Sequence, residues 1–304
     1  MPRNPLVIFT GICLLACSSL LVKAAMTSDE VSVVLLNLEK ANKGVASAQF
    51  NLAMCYAEGK GVDKDPGRAF TWARKAADQG YAPAQSMVSR FYHNGEGVAQ
   101  DKAESAKWLR KAAEQGDARL QMNVARCYYA GDGVTKDPAE AARWMRRAAE
   151  QGLPEAQFSL HAFYAQGQGV AKDADEARRW LRKAAEQGLV EAEFELGYAY
   201  AVGDGLAKDP AEAFRWFRRA AGQGSATAQF NLGACYAAGQ GVASDEVEAF
   251  AWLSLAARTV GQAQTDLGLL GPKLTSTQQE AGRKRAKELQ AEIEARTASK
   301  LSAK

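Results

Sequence analysis

A 36-residue period runs through most of this chain and restricts its fold more than any other feature. With position 1 of the period set at Ala48, Ala84, Leu120, Ala156, Ala192 and Ala228, all six tryptophans fall at position 25: Trp72, Trp108, Trp144, Trp180, Trp216 and Trp252. Tyrosine fills position 9 each time, from Tyr56 to Tyr236. Glycine pairs fill positions 12 and 14, from Gly59 and Gly61 to Gly239 and Gly241, and aspartate fills position 18. Self-similarity at a fixed period of a few tens of residues marks a chain built from one structural unit stacked on copies of itself.

Each unit reads as helix, tight loop, helix. Helix A is expected over about positions 1–11, because the repeated residues at 1, 5 and 9 share one helical face. Glycine at position 12 ends it, since glycine tolerates the left-handed conformation that follows a helix C-terminus. Helix B is expected to start at the position-18 aspartate. The run Asp137-Pro138-Ala139-Glu140 joins an N-cap, a proline at the first helical position and a glutamate that closes a capping box. Asp65 departs from this, with Arg68 where the other units hold glutamate. Helix B buries Ala at positions 22 and 29 and Trp at 25. A Gln-Gly pair at 32–33 stops it. Small alanines let helices approach closely, while Trp and Tyr fill the gaps between them. One helix pair cannot bury its own apolar face, and stacked neighbours can. The expected fold is an all-α solenoid.

The unit boundaries follow: six repeats at 48–83, 84–119, 120–155, 156–191, 192–227 and 228–263. Residues 29–47 are expected to form an N-terminal capping helix, because Leu35 to Gly44 matches the second half of helix B. Residues 264–304 are expected to hold a charged capping helix, entered by a capping box at Thr277 and Glu280, and a disordered tail.

The first residues are a separate object. A lone Arg3, an apolar run from Leu6 to Val22 and the small residues of Val22-Lys23-Ala24-Ala25 read as a signal peptide over 1–24. The alternative is a lipoprotein signal cleaved before Cys17, since Leu14 to Cys17 has the form of a lipobox. A transmembrane anchor fits less well: the run is barely long enough and no basic cluster follows, so no membrane span is expected in the mature chain. The chain is then periplasmic or secreted, or an outer-membrane lipoprotein. The net charge is only +3, too small to draw the protein to nucleic acid.

The repeat is similar to the Sel1-like repeat family, relatives of the tetratricopeptide repeats. The run Ala228 to Ala257, AQFNLGACYAAGQGVASDEVEAFAWLSLAA, matches the family pattern along its length. Position 6 departs from it in the first four repeats, with Ala53, Ser89, Ala125 and His161 in place of glycine. The resemblance implies a right-handed superhelical α/α solenoid. It implies a scaffold for protein assemblies, with envelope signalling and cell-wall machinery among the partners, and links to polysaccharide export. One cysteine-rich subgroup is associated with β-lactams.

Enzymatic chemistry finds little support. Cys55, Cys127 and Cys235 sit at position 8 of repeats two or three units apart, beyond disulfide reach, and read as small buried thiols. Their odd number leaves intermolecular pairing open. His93 and His161 occupy different positions of different repeats, so no metal site is expected. No Ser-x-x-Lys appears, which argues against a β-lactam or muropeptide-processing enzyme. The carboxylates recur at capping and surface positions. No catalytic residue, metal or cofactor is expected.

Two surfaces are candidates for binding. Basic pairs recur on helix B, from Arg74-Lys75 to Arg218-Arg219, and suggest an anionic polysaccharide. Intrahelical pairs such as Arg110–Glu114, Arg146–Glu150 and Arg182–Glu186 oppose that reading. By analogy with tetratricopeptide stacks, helix A lines the concave face with its positions 3, 7, 10 and 11. These are Phe50, Met54, Arg90, His93, Met122, Arg126, Tyr129, Phe158, Phe194, Tyr198 and Phe230. Most of these positions vary between repeats while the packing positions do not, which points to a protein-binding groove.

Overall fold

The computed structural model describes residues 28–302. The signal segment, Cys17 and the last two residues lie outside the described residues. Fifteen α-helices and one short 3-10 helix follow one another, with no strand among the described residues. The chain divides between Arg147 and Ala148 into two compact units.

The first unit opens with α1 (Ser28–Asn42). It continues with α2 (Ala46–Glu58), α3 (Pro66–Asp78), α4 (Ala82–Asn94), α5 (Lys102–Ala113) and α6 (Ala118–Ala130), and ends within α7 (Pro138–Glu150). The second unit holds α8 (Pro154–Gln166), α9 (Ala174–Glu186), α10 (Val190–Val202), α11 (Pro210–Ala221), α12 (Ala226–Ala238) and α13 (Glu246–Ala256). It closes with α14 (Gly261–Leu270), the 3-10 turn Gly271–Lys273 and α15 (Ser276–Ser302). Even-numbered helices from α2 to α12 are helix A, and odd-numbered ones from α3 to α13 are helix B. Helix A begins two residues before position 1.

The expected punctuation is present. Gly59, Gly95, Gly131, Gly167, Gly203 and Gly239 end their A helices in the left-handed region. Each position-18 aspartate caps helix B through backbone N–H groups, as Asp173 does for Asp175 and Glu176 at 3.0 Å. Without its glutamate, Asp65 still accepts from the Arg68 N–H at 2.9 Å and pairs with the Arg68 guanidinium.

The second glycine of the pairs at Gly97, Gly133 and Gly241 has a different role. A Cβ on Gly133 would lie 1.9 Å from the Lys102 carbonyl oxygen, and one on Gly241 would lie 2.0 Å from that of Pro210. This loop therefore rests on the first turn of the preceding helix B, and only a residue without a side chain fits there. Neighbouring repeats are also joined by a polar clasp. At position 2, Gln85 donates to the Ala77 carbonyl at 3.3 Å and accepts from Gln115 at 2.8 Å. Gln49 and Gln157 make the same two bonds. All three are buried, so the bonds satisfy amides that would otherwise be costly there.

The core follows the expected stripe. Ala69, Ala73, Ala76 and Ala77 of α3 pack with Val88 and Phe91 of α4, and equivalent alanines recur on later B helices. At the C-terminal end, Ala286, Leu289 and Ile293 of α15 join a cluster with Phe214, Phe217, Trp252 and Leu255. Two expectations need correction. The capping box of α15 lies at Thr275 and Gln278, not at Thr277 and Glu280. The Gln278 N–H donates to Thr275 Oγ1 at 3.2 Å, and the Thr275 N–H donates to Gln278 Oε1 at 2.9 Å. A further helix, α14, also precedes the charged one, one period on from α12.

Candidate partner-binding surface

Helix A carries its packing residues on one face, which leaves positions 3, 7 and 10 at or near the surface. In the first unit Arg90 and Arg126 are exposed and Tyr129 is 41% exposed, with the Lys136 ammonium 5.8 Å from its ring centroid. His93 is exposed, and its Nδ1 lies 3.9 Å from Asp132, which also pairs with Lys102 at 2.9 Å. The apolar position-3 residues are more enclosed. Phe50 and Met54 pack against the α3–α4 core, with the Phe50 ring edge-on to Tyr81 at 5.6 Å. Met122 is buried.

In the second unit the same positions bound a shallow groove of about 670 Å³. Phe158 of α8 and Val190, Phe194 and Tyr198 of α10 supply its apolar wall. Glu191 and Glu195 stand beside it. Tyr198 is 51% exposed, and Phe194 rests on Phe217 below it with ring centroids 5.9 Å apart. Phe230 is not part of this groove and packs against the cluster of Leu253, Ala256 and Ala263.

Beside the groove, through its lining residue Glu195, lies a polar contact that sequence reasoning missed. His161 Nδ1 lies 2.9 Å from the Ala177 carbonyl oxygen, and Nε2 lies 2.8 Å from Glu195 Oε1. Both partners are acceptors, so the ring can donate to both only as the imidazolium. Burial alone would lower its pKa, but the hydrogen bonds to Glu195 and Ala177 and the Glu195 charge outweigh burial and raise it. The sequence did carry a signal. His161 replaces a small residue at position 6, and Glu195 is the only carboxylate at position 4 of any repeat.

The helix B basic pairs are engaged within the fold. Lys75, Lys111, Arg147, Lys183 and Arg219 each lie over the tryptophan three residues earlier, at 4.1 to 4.6 Å from the ring centroid. Arg74 pairs with Asp78, and Arg110 with Glu114. Arg182 does not pair with Glu186 as expected and donates to the Tyr200 hydroxyl at 2.9 Å. Cys55, Cys127 and Cys235 are free thiols, and burial pushes all three pKa values up, away from the reactive thiolate. Among the described residues no group of three or more His, Cys, Asp or Glu side chains could hold a metal ion. No helix there is long and apolar enough to cross a membrane.

Stacked helix pairs with their repeated residues in packing, and varied side chains on one helix surface, define a repeat scaffold. The Sel1 repeat family model matches residues 46–81, 82–117, 118–153, 154–189, 190–225 and 226–258, and the chain belongs to the Sel1 repeat family. The solved structure of c5321, a protective antigen of uropathogenic Escherichia coli with an SLR fold, is 36% identical with a TM-score of 0.74. That similarity covers 84% of this chain and 56% of that one, so the chain spans little more than half of its length. A Sel1 repeat protein from Oxalobacter formigenes is also 36% identical, over 74% of this chain and 99% of that one, with a TM-score of 0.58. No curated protein matches. The fold of this family is in general a non-catalytic scaffold for protein partners.

Proposed function

We propose that this protein is a non-enzymatic scaffold of the bacterial cell envelope that binds a partner protein on its helix A surface. The observation that carries the reading is the exposure of Tyr129 and Tyr198, together with Arg90 and Arg126, on helices whose other face is fully used in packing. Large aromatic and arginine side chains are the residues that dominate binding energy at protein interfaces. An envelope location rests on the signal-like segment before residue 25, with lipidation at Cys17 as the variant form. The protein reading is favoured over an anionic polysaccharide because most of the helix B cations already lie on tryptophan rings or pair with carboxylates.

The test is photo-crosslinking in the native host from residue 198 or 126, with residue 182 on helix B as the control. A discrete adduct from the helix A positions alone supports the reading and identifies the partner. Adducts from residue 182 alone overturn it.

A further inference from the structure

The groove of the second unit has a definite chemical character. Its lining includes two carboxylates, Glu191 and Glu195, and no basic residue. Glu191 stands exposed in the first turn of α10 with no ion pair among the described residues. The wall beside these carboxylates offers the rings of Phe158, Phe194 and Tyr198, surfaces on which the alkyl stems of lysine and arginine pack well. The basic end of α15, with Arg296 and Lys300, lines an adjoining cleft of about 640 Å³ that shares Val190 and Gln223 with the groove. Lys300 donates to Gln223 there.

We infer that this groove takes a cationic peptide segment, whose lysine or arginine heads pair with Glu191 and Glu195 while its stems lie on Phe158, Phe194 and Tyr198. The inference rests on the helix A reading above and adds the chemistry of the partner. His161 controls one of the two carboxylates. The groups facing its ring are Glu195 from α10 and the uncharged Ala177 carbonyl from α9. As imidazolium, His161 holds Glu195. Once neutral, a ring that keeps its proton on Nδ1 for Ala177 turns a lone pair toward the carboxylate and releases it to the peptide. Binding therefore strengthens as pH rises through the His161 titration.

The test is selection of random twelve-residue peptides displayed on phage against the full chain, followed by fluorescence polarisation with the selected peptides. The expected result is enrichment of Lys and Arg interspersed with apolar residues. Their affinity is expected to fall about tenfold in the Glu191→Gln/Glu195→Gln variant and also to fall in Tyr198→Ala. Affinity should rise between pH 5.5 and 8 in the wild type, and this slope should vanish in His161→Gln. Circular dichroism checks that each variant is folded. Peptides without basic residues, or peptides insensitive to the double variant, overturn the cationic inference. If those peptides are still lost in Tyr198→Ala, the helix A reading survives. Peptides indifferent to Tyr198→Ala overturn both. Failure to enrich any peptide overturns the cationic inference alone, since the crosslinking experiment tests the surface independently.

Discussion

Arg219 makes the hydrogen bond that Glu193 cannot. At position 2, five of the six repeats hold a glutamine, and each of these donates to a carbonyl near the end of the preceding helix, α1 for Gln49 and a helix B for the other four. The fifth repeat holds Glu193, which has no N–H to give. There Arg219 Nη2 donates to the Ala185 carbonyl at 3.1 Å, while its Nε lies 2.8 Å from Glu193 Oε1. Gln223 completes the set by donating to Glu193 Oε2 at 2.7 Å. The one departure at position 2 is thus met by an arginine 26 residues away.

This pairing predicts a non-additive mutant cycle. Arg219→Ala leaves Glu193, only 1% exposed, without its counter-charge, and is expected to cost about 2 kcal/mol. Glu193→Gln restores the clasp of the other repeats. The double variant Glu193→Gln/Arg219→Ala should recover most of the loss. Urea unfolding midpoints of the four proteins check this, and a double variant no better than Arg219→Ala refutes it.

The His161 contact predicts a pH dependence of stability. Its folded pKa is raised above the ordinary histidine value, so the stabilisation is fully present below that value and is lost as pH rises through the folded pKa. The chain has only two histidines, so an NMR titration of the ring protons resolves this one readily. Glu195→Gln should bring the His161 midpoint down and flatten the stability profile above pH 6.5. An unchanged midpoint would contradict the contact.

Two glycine substitutions separate backbone strain from stacking. Gly133 and Gly152 both have positive φ, but nothing lies within 4 Å of a Cβ on Gly152. Gly152→Ala should cost about 1 kcal/mol from the left-handed backbone alone. Gly133→Ala adds a collision with the Lys102 carbonyl and should cost about 3 kcal/mol. Thermal melts of the two variants test the difference.

The capping box of α15 is tested by two threonines. Thr275→Ala removes the acceptor for the Gln278 N–H and should cost about 1 kcal/mol, whereas Thr277→Ala should be nearly neutral. Equal effects in the two would place the cap elsewhere.

The sequence by itself determined the repeat, its period and its punctuation. Asp173 and Gly167 are legible because caps are local: an aspartate side chain reaches N–H groups two or three residues on, and a glycine φ depends on that residue alone. The alanine and tryptophan stripe is legible because helical spacing fixes which residues share a face. At Thr275 and Thr277 two overlapping cap signals compete, and local sequence does not choose between them. The tertiary structure decided the rest. Arg219 and Glu193 lie on different helices, and so do His161 and Glu195, so only the stacking distance between helices determines that they meet. Whether a surface cation is free depends likewise on the tryptophan beneath it: Lys183 reads as a solvated charge in the sequence and lies 4.1 Å above the Trp180 ring in the fold. The groove of Phe158, Phe194 and Tyr198 belongs with these, since neither α8 nor α10 forms it alone.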